Sequence, residues 1–165
     1  VKILSGMLKY KFIDLDVEFC DQISDIGEYI SKFGYDKYCH QNSKLFYELL
    51  GLHEENTVFV LSSGFLVHKD LEKLTEKHKR SILNQGVSVL LLPSQSLEKT
   101  RDIVVKRQLH RGLGLNYERE AQKINERFGL YKKFGDIKVF SSQAPELIAE
   151  EMKREIGVKV DMRVQ

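Results

Sequence analysis

Four short apolar runs, residues 10–14, 57–61, 87–92 and 137–140, are separated by long charged segments whose apolar residues recur every three or four positions. This switching between run-like and helical patterning is the strongest constraint on the fold. A continuous apolar run must be covered on both faces, and the helical segments between the runs supply that cover. Leu71, Leu74, Ile82 and Leu83 form an apolar stripe that predicts a helix over 69–84. A second helix is expected over 96–109, after the Pro93-Ser94 break and with Ser96 as its cap. Asn116 can cap a third over 117–128, and Pro145 suits the first turn of a fourth over 145–156. At the chain's start, Leu4, Met7 and Leu8 recur at helical spacing without a preceding cap. Strands alternating with helices in this way predict a three-layer α/β/α fold with a mostly parallel sheet.

Composition narrows the function classes. With 165 residues, 42% of them hydrophobic, the chain can bury a core as one domain without disulfides or metals. A net charge of +2, from 26 basic and 24 acidic side chains, gives no reason to invoke nucleic acid or an anionic membrane. Cys20 and Cys39 have neither staple nor metal spacing and are read as reduced thiols of a cytoplasmic protein. His40, His53, His68, His78 and His110 are scattered, which argues against a zinc site. Partners must therefore be argued from local sites, and the chain is expected to be a monomer.

In open α/β sheets, ligands bind beyond the carboxyl ends of the strands. The run Phe12-Ile13-Asp14-Leu15-Asp16 ends there in two acids, and Ser62-Ser63-Gly64 follows the second run. The acids could equally be a solvated strand end or an Asx turn. Arg111-Gly112-Leu113-Gly114 interrupts two helical patterns, and its glycines make it a candidate lid. Residues 158–164 alternate as an edge strand would, which allows pairing with a second subunit or a fold back onto the chain's own sheet.

Five stretches in order resemble shikimate kinase, a small P-loop NTPase-like phosphotransferase. They are the Asp14-Leu15-Asp16 strand end, Ile26-Gly27-Glu28-Tyr29-Ile30 leading to Phe33-Gly34, Val60-Leu61-Ser62-Ser63-Gly64, the segment 107–114, and Glu126-Arg127-Phe128-Gly129-Leu130-Tyr131. The likeness runs from Val1 to about Ile156. It implies ATP-dependent phosphorylation of a hydroxyl on a small metabolite, with ATP and Mg as cofactors. It also implies that Asp16 contacts the acceptor hydroxyl and that Asp14 lies near the metal. Arg107 or Arg111 would close over the nucleotide, Arg127 would hold a substrate carboxylate, Gly64 would line the acceptor pocket, and Pro145 would lie on the adenine side. The alternative is a catalytically inactive nucleotide-binding or regulatory module of the same family.

Three departures separate the chain from the family pattern. Cys39 stands where a substrate-binding Arg is expected, and Ser62-Ser63-Gly64 replaces a triple glycine. No Gly-x-x-x-x-Gly-Lys-[Ser/Thr] loop occurs in the 165 residues. Because the family places that loop ahead of the helix resembled by the first residues, the resemblance implies about 20 to 30 further residues upstream, of strand, loop and helix-start size.

Overall fold

The computed structural model describes residues 1–53, 55–110 and 116–164. The chain divides into two compact units, Val1–Asn84 and Gln85–Gln165. The first contains α1 (Lys2–Leu8), β1 (Lys11–Asp14), α2 (Leu15–Gln22), α3 (Ile26–Phe33), α4 (Tyr35–Leu52), β2 (Thr57–Val60) and α5 (Glu72–Gln85). The second contains β3 (Val89–Leu92), α6 (Leu97–Leu109), α7 (Tyr117–Tyr131), β4 (Ile137–Phe140) and α8 (Pro145–Val164). Among the described residues each unit holds one two-stranded parallel sheet, β1 with β2 and β3 with β4.

A two-stranded sheet is marginal alone, so each pair depends on its helices. In the first unit Ile13 and Leu15 bury from β1 and the start of α2, and Phe19 follows one turn later. Tyr38, Leu45, Phe46 and Leu49 form the buried stripe of α4 against them. Fully burying a side chain the size of Phe19 contributes about 1.5 to 3 kcal/mol. Its ring also meets Tyr29 and Tyr38 edge-on, with centroids 5.3 and 5.1 Å away.

In the second unit Val105, Phe128, Val139, Ala149 and Met152 are buried, and α6 packs on α7. The Asp136 carboxylate accepts from the backbone N–H and the hydroxyl of Ser88, at 2.9 and 2.8 Å, which ties the starts of β3 and β4 together. Gly135 precedes β4 at φ +95°, a conformation that favours glycine, and a Cβ there would stand 2.8 Å from the Ile137 carbonyl and 2.9 Å from the Leu90 nitrogen.

The expected elements form with small shifts at their ends. Ser96 and Asn116 cap α6 and α7 by accepting from the backbone N–H groups of Lys99 and Arg119. The exception is residues 158–164. Expected as an edge strand, they continue α8 to Val164. Extending an existing helix adds a hydrogen bond per residue without a new nucleus, whereas a strand must find a partner. Val158, Val160 and Met162 are exposed on that helix, and an edge-strand dimer through this segment loses its basis. No helix among the described residues is long and apolar enough to cross a membrane.

Candidate active site

The register of β1 and β2 builds the site. Asp14 pairs with Val60, so Asp16 and Ser62 each lie two residues beyond the last pair at the carboxyl end of the sheet. Neighbouring parallel strands are under 5 Å apart, which brings the two side chains within reach. The Ser62 hydroxyl donates to Asp16 Oδ1 at 2.5 Å. Asp16 is itself exposed, in the first turn of α2.

Asp14 has a structural task at the same place. It is the N-cap of α2, and its Oδ1 accepts from the backbone N–H groups of Asp16 (3.1 Å) and Val17 (3.4 Å). The Asp14 cap therefore fixes the backbone from which Asp16 projects.

Behind Ser62 lies a buried polar line from α4. Asn42 is fully buried, and its Nδ2 donates to Ser62 Oγ at 2.9 Å and to the Tyr38 hydroxyl at 3.4 Å. Tyr38 and Asn42 are four residues apart and share one helix face. Burial pushes the Tyr38 phenol far above its ordinary value; the Ser62 hydrogen bond opposes this and the negative charge of Asp16 adds to it. Tyr38 is thus a neutral phenol at every physiological pH. The sequence reading missed Tyr38 and Asn42 as site residues. The available signal was an Asn inside the stripe Tyr38, Leu45, Phe46, Leu49, since a buried polar side chain needs partners.

Cys39, next on α4, is fully buried, with Sγ 3.3 Å from His68 Nδ1. A buried thiol supplies no charged fork to a carboxylate ligand. Gly64 is buried in the turn after β2, where the Phe65 N–H donates to the Ser62 carbonyl and the Val67 N–H to the Gly64 carbonyl, both at 2.9 Å.

The other expected site residues belong to the second unit. Arg107 is exposed in the last turn of α6, where a cation also complements the helix C-terminus. Arg127 is half-buried on α7, and Pro145 is the exposed first residue of α8. Arg111 and the rest of the candidate lid, Gly112, Leu113 and Gly114, lie outside the described residues. Direct contact joins Asp14, Asp16 and Ser62 in the first unit.

Among the described residues there is no group of three or more His, Cys, Asp or Glu side chains able to hold a metal ion. Magnesium in phosphotransfer sites usually takes one or two carboxylates and completes its shell with water and phosphate oxygens. The second carboxylate oxygen of Asp14 suits that sparse role.

The shikimate kinase family model matches residues 1–157. The chain belongs to the shikimate kinase family. Solved structures agree on the fold. The shikimate kinase from Acinetobacter baumannii in complex with shikimate superposes with a TM-score of 0.73 at 15% identity, covering 96% of this chain and 84% of that one. The Aquifex aeolicus shikimate kinase gives 0.68 at 20% identity, with 96% and 88% covered. The Bacteroides thetaiotaomicron shikimate kinase gives 0.65 at 16% identity, with 97% and 88% covered. No curated protein sequence matches the chain. Membership of this family gives the parallel strand pairs and the acidic end of β1 their context, a P-loop kinase fold.

Proposed function

We propose that this shikimate kinase family chain carries the acceptor side of an ATP-dependent phosphotransferase acting on a hydroxyl of a small polar metabolite, with shikimate as the first candidate. One observation carries the reading: Asp16, at the carboxyl end of a parallel strand, already holds an alcohol oxygen, that of Ser62, at hydrogen-bond distance. A carboxylate that can hold a hydroxyl there can orient an acceptor hydroxyl for in-line attack and accept its proton.

In the proposed reaction the acceptor oxygen forms a bond to the γ-phosphorus, the bond from that phosphorus to the ADP oxygen breaks, and the hydroxyl proton passes to Asp16. The cap from Asp14 keeps Asp16 in place, and Asp14's other oxygen would serve as a magnesium ligand. Magnesium supplies charge neutralisation to the phosphates when bound. Arg107 and Arg111 are assigned to phosphate charge and Arg127 to a substrate carboxylate, a task that suits a planar guanidinium. Gly64 lines the acceptor pocket, and Pro145 lies at the adenine side. With no Gly-x-x-x-x-Gly-Lys-[Ser/Thr] run in these residues, the proposal concerns acceptor recognition and proton transfer.

A non-catalytic nucleotide-binding or regulatory module is the second reading, favoured by the buried Cys39 thiol where an Arg is expected. Incubation of the protein with ATP, magnesium and shikimate separates the two. ADP release with a phosphorylated product, lost in Asp16→Asn, supports the kinase. Absence of turnover with shikimate and related polyols leaves the module.

A further inference from the structure

The proton count along the Asn42, Ser62, Asp16 line fixes its direction. A carboxylate only accepts, so the single proton of the Ser62 hydroxyl points at Asp16 Oδ1. The Ser62 oxygen is then left to accept, and Asn42 must present its NH₂ group to it, as it does at 2.9 Å. The reversed amide would set the Asn42 carbonyl against an oxygen with no proton to share. In this arrangement Asn42 Oδ1 is buried without a hydrogen-bond partner among the described residues. The amide thus leaves its own oxygen unsatisfied among the described residues while it steers Ser62 toward Asp16. A serine that merely filled space would not require this.

We infer that Ser62 is an internal competitor for the acceptor hydroxyl, held on Asp16 by Asn42, and that it sets the affinity and selectivity of the acceptor site. The inference rests on the reading of Asp16 as the group that receives an acceptor hydroxyl. A ligand hydroxyl must displace Ser62 from Oδ1 or share the carboxylate through its other oxygen. Ligands offering one weakly placed hydroxyl lose this competition. Polyhydroxylated ligands, with a second hydroxyl to engage the displaced Ser62 oxygen, lose least. The site thus selects polyols by making a simple alcohol compete with an intramolecular hydroxyl at high effective concentration.

Calorimetric titration of shikimate into the protein without nucleotide tests this, alongside Ser62→Ala, Ser62→Cys and Ser62→Thr. Alanine removes the hydroxyl. Cysteine keeps the bulk while replacing a strong donor with a weak one. Threonine retains the hydroxyl. The expected result is about tenfold tighter binding in Ser62→Ala, equivalent to about 1.4 kcal/mol, a similar gain in Ser62→Cys, and no gain in Ser62→Thr. Binding that appears only in the alanine and cysteine variants gives the same support.

Unchanged or weaker binding in Ser62→Ala overturns the inference, as does a gain in alanine absent from cysteine, which would show that bulk alone is responsible. No binding by any variant overturns it too. The outcome is distinct from that of the kinase reading, because tighter binding without ATP turnover contradicts only the kinase, and turnover without a gain contradicts only the competitor.

Discussion

Replacing His78 with Leu tests whether the first unit depends on a neutral buried histidine. His78 is fully buried on α5 and stacks on Phe65 with ring centroids 3.8 Å apart. Its Nδ1 lies 3.0 Å from the Phe65 carbonyl, and its Nε2 lies 2.8 Å from Ser43 Oγ. Both contacts are satisfied by one neutral tautomer, with Nδ1–H donating to the carbonyl and Nε2 accepting from the hydroxyl.

Leucine fills a similar volume but leaves both partners unpaired. An unsatisfied buried polar group costs about 1 to 3 kcal/mol, and the added apolar surface offsets part of the total, so a net loss of about 2 to 4 kcal/mol is expected. That is a large share of a typical domain's total stability of about 5 to 15 kcal/mol. Burial is the main cause that pulls the His78 pKa below its ordinary 6.5, with the charges of Lys77 and His40 acting the same way and the Phe65 carbonyl opposing.

The sign of the pH dependence follows from that direction. Below pH 6.5 the unfolded chain binds a proton that the folded chain refuses, so His78's contribution is fully present above that value and is lost on acidification. The leucine variant lacks this term, while other titrating groups are common to both proteins and cancel in the comparison. Urea denaturation of both proteins at pH 7.5 and pH 5.0 should show their stability gap narrowing at the lower pH. A gap that is constant or widens on acidification would refute the reasoning.

Asp14→Ala removes the α2 cap and should cost about 1 kcal/mol in urea denaturation; an unchanged midpoint would show that the cap contributes nothing. Gly135→Ala places a Cβ against the Ile137 carbonyl and Leu90 nitrogen at a positive φ, so it should destabilise by more than about 1 kcal/mol, read as a lower thermal midpoint. Thiol labelling should modify the exposed Cys20 rapidly and the buried Cys39 only under unfolding conditions; equal rates would contradict the packing of Cys39 against His68.

Much of this fold was legible because local signals and packing agreed. The run 137–140 forms β4 with the expected bounds, and Ser96 and Asn116 cap the expected helices, since each choice depends on neighbouring residues alone. Residues 158–164 misled because Val158, Val160 and Met162 alternate as a strand would, while the helix already running from Pro145 could simply continue.

The acidic end of β1 was also legible, but its division of labour was not. Asp14 caps a helix that starts one residue after the strand stops, an abrupt change no apolar run reveals. Asp16 meets Ser62 only because the two strands pair in a register that leaves both two residues past the end, a tertiary fact. Asn42 became visible once its helix face was known.

The central claim, that Asp16 serves an acceptor hydroxyl, is tested most directly by mass spectrometry of shikimate after incubation with ATP, magnesium and either the wild-type protein or Asp16→Asn. Asp16 is exposed and Asn keeps an oxygen to accept from Ser62, so the substitution should cost no more than about 1.5 kcal/mol of stability. A phosphorylated product is expected with the wild type and at least about a hundredfold slower formation with the variant, on the order of a lost general base. Equal rates in the two proteins would contradict it.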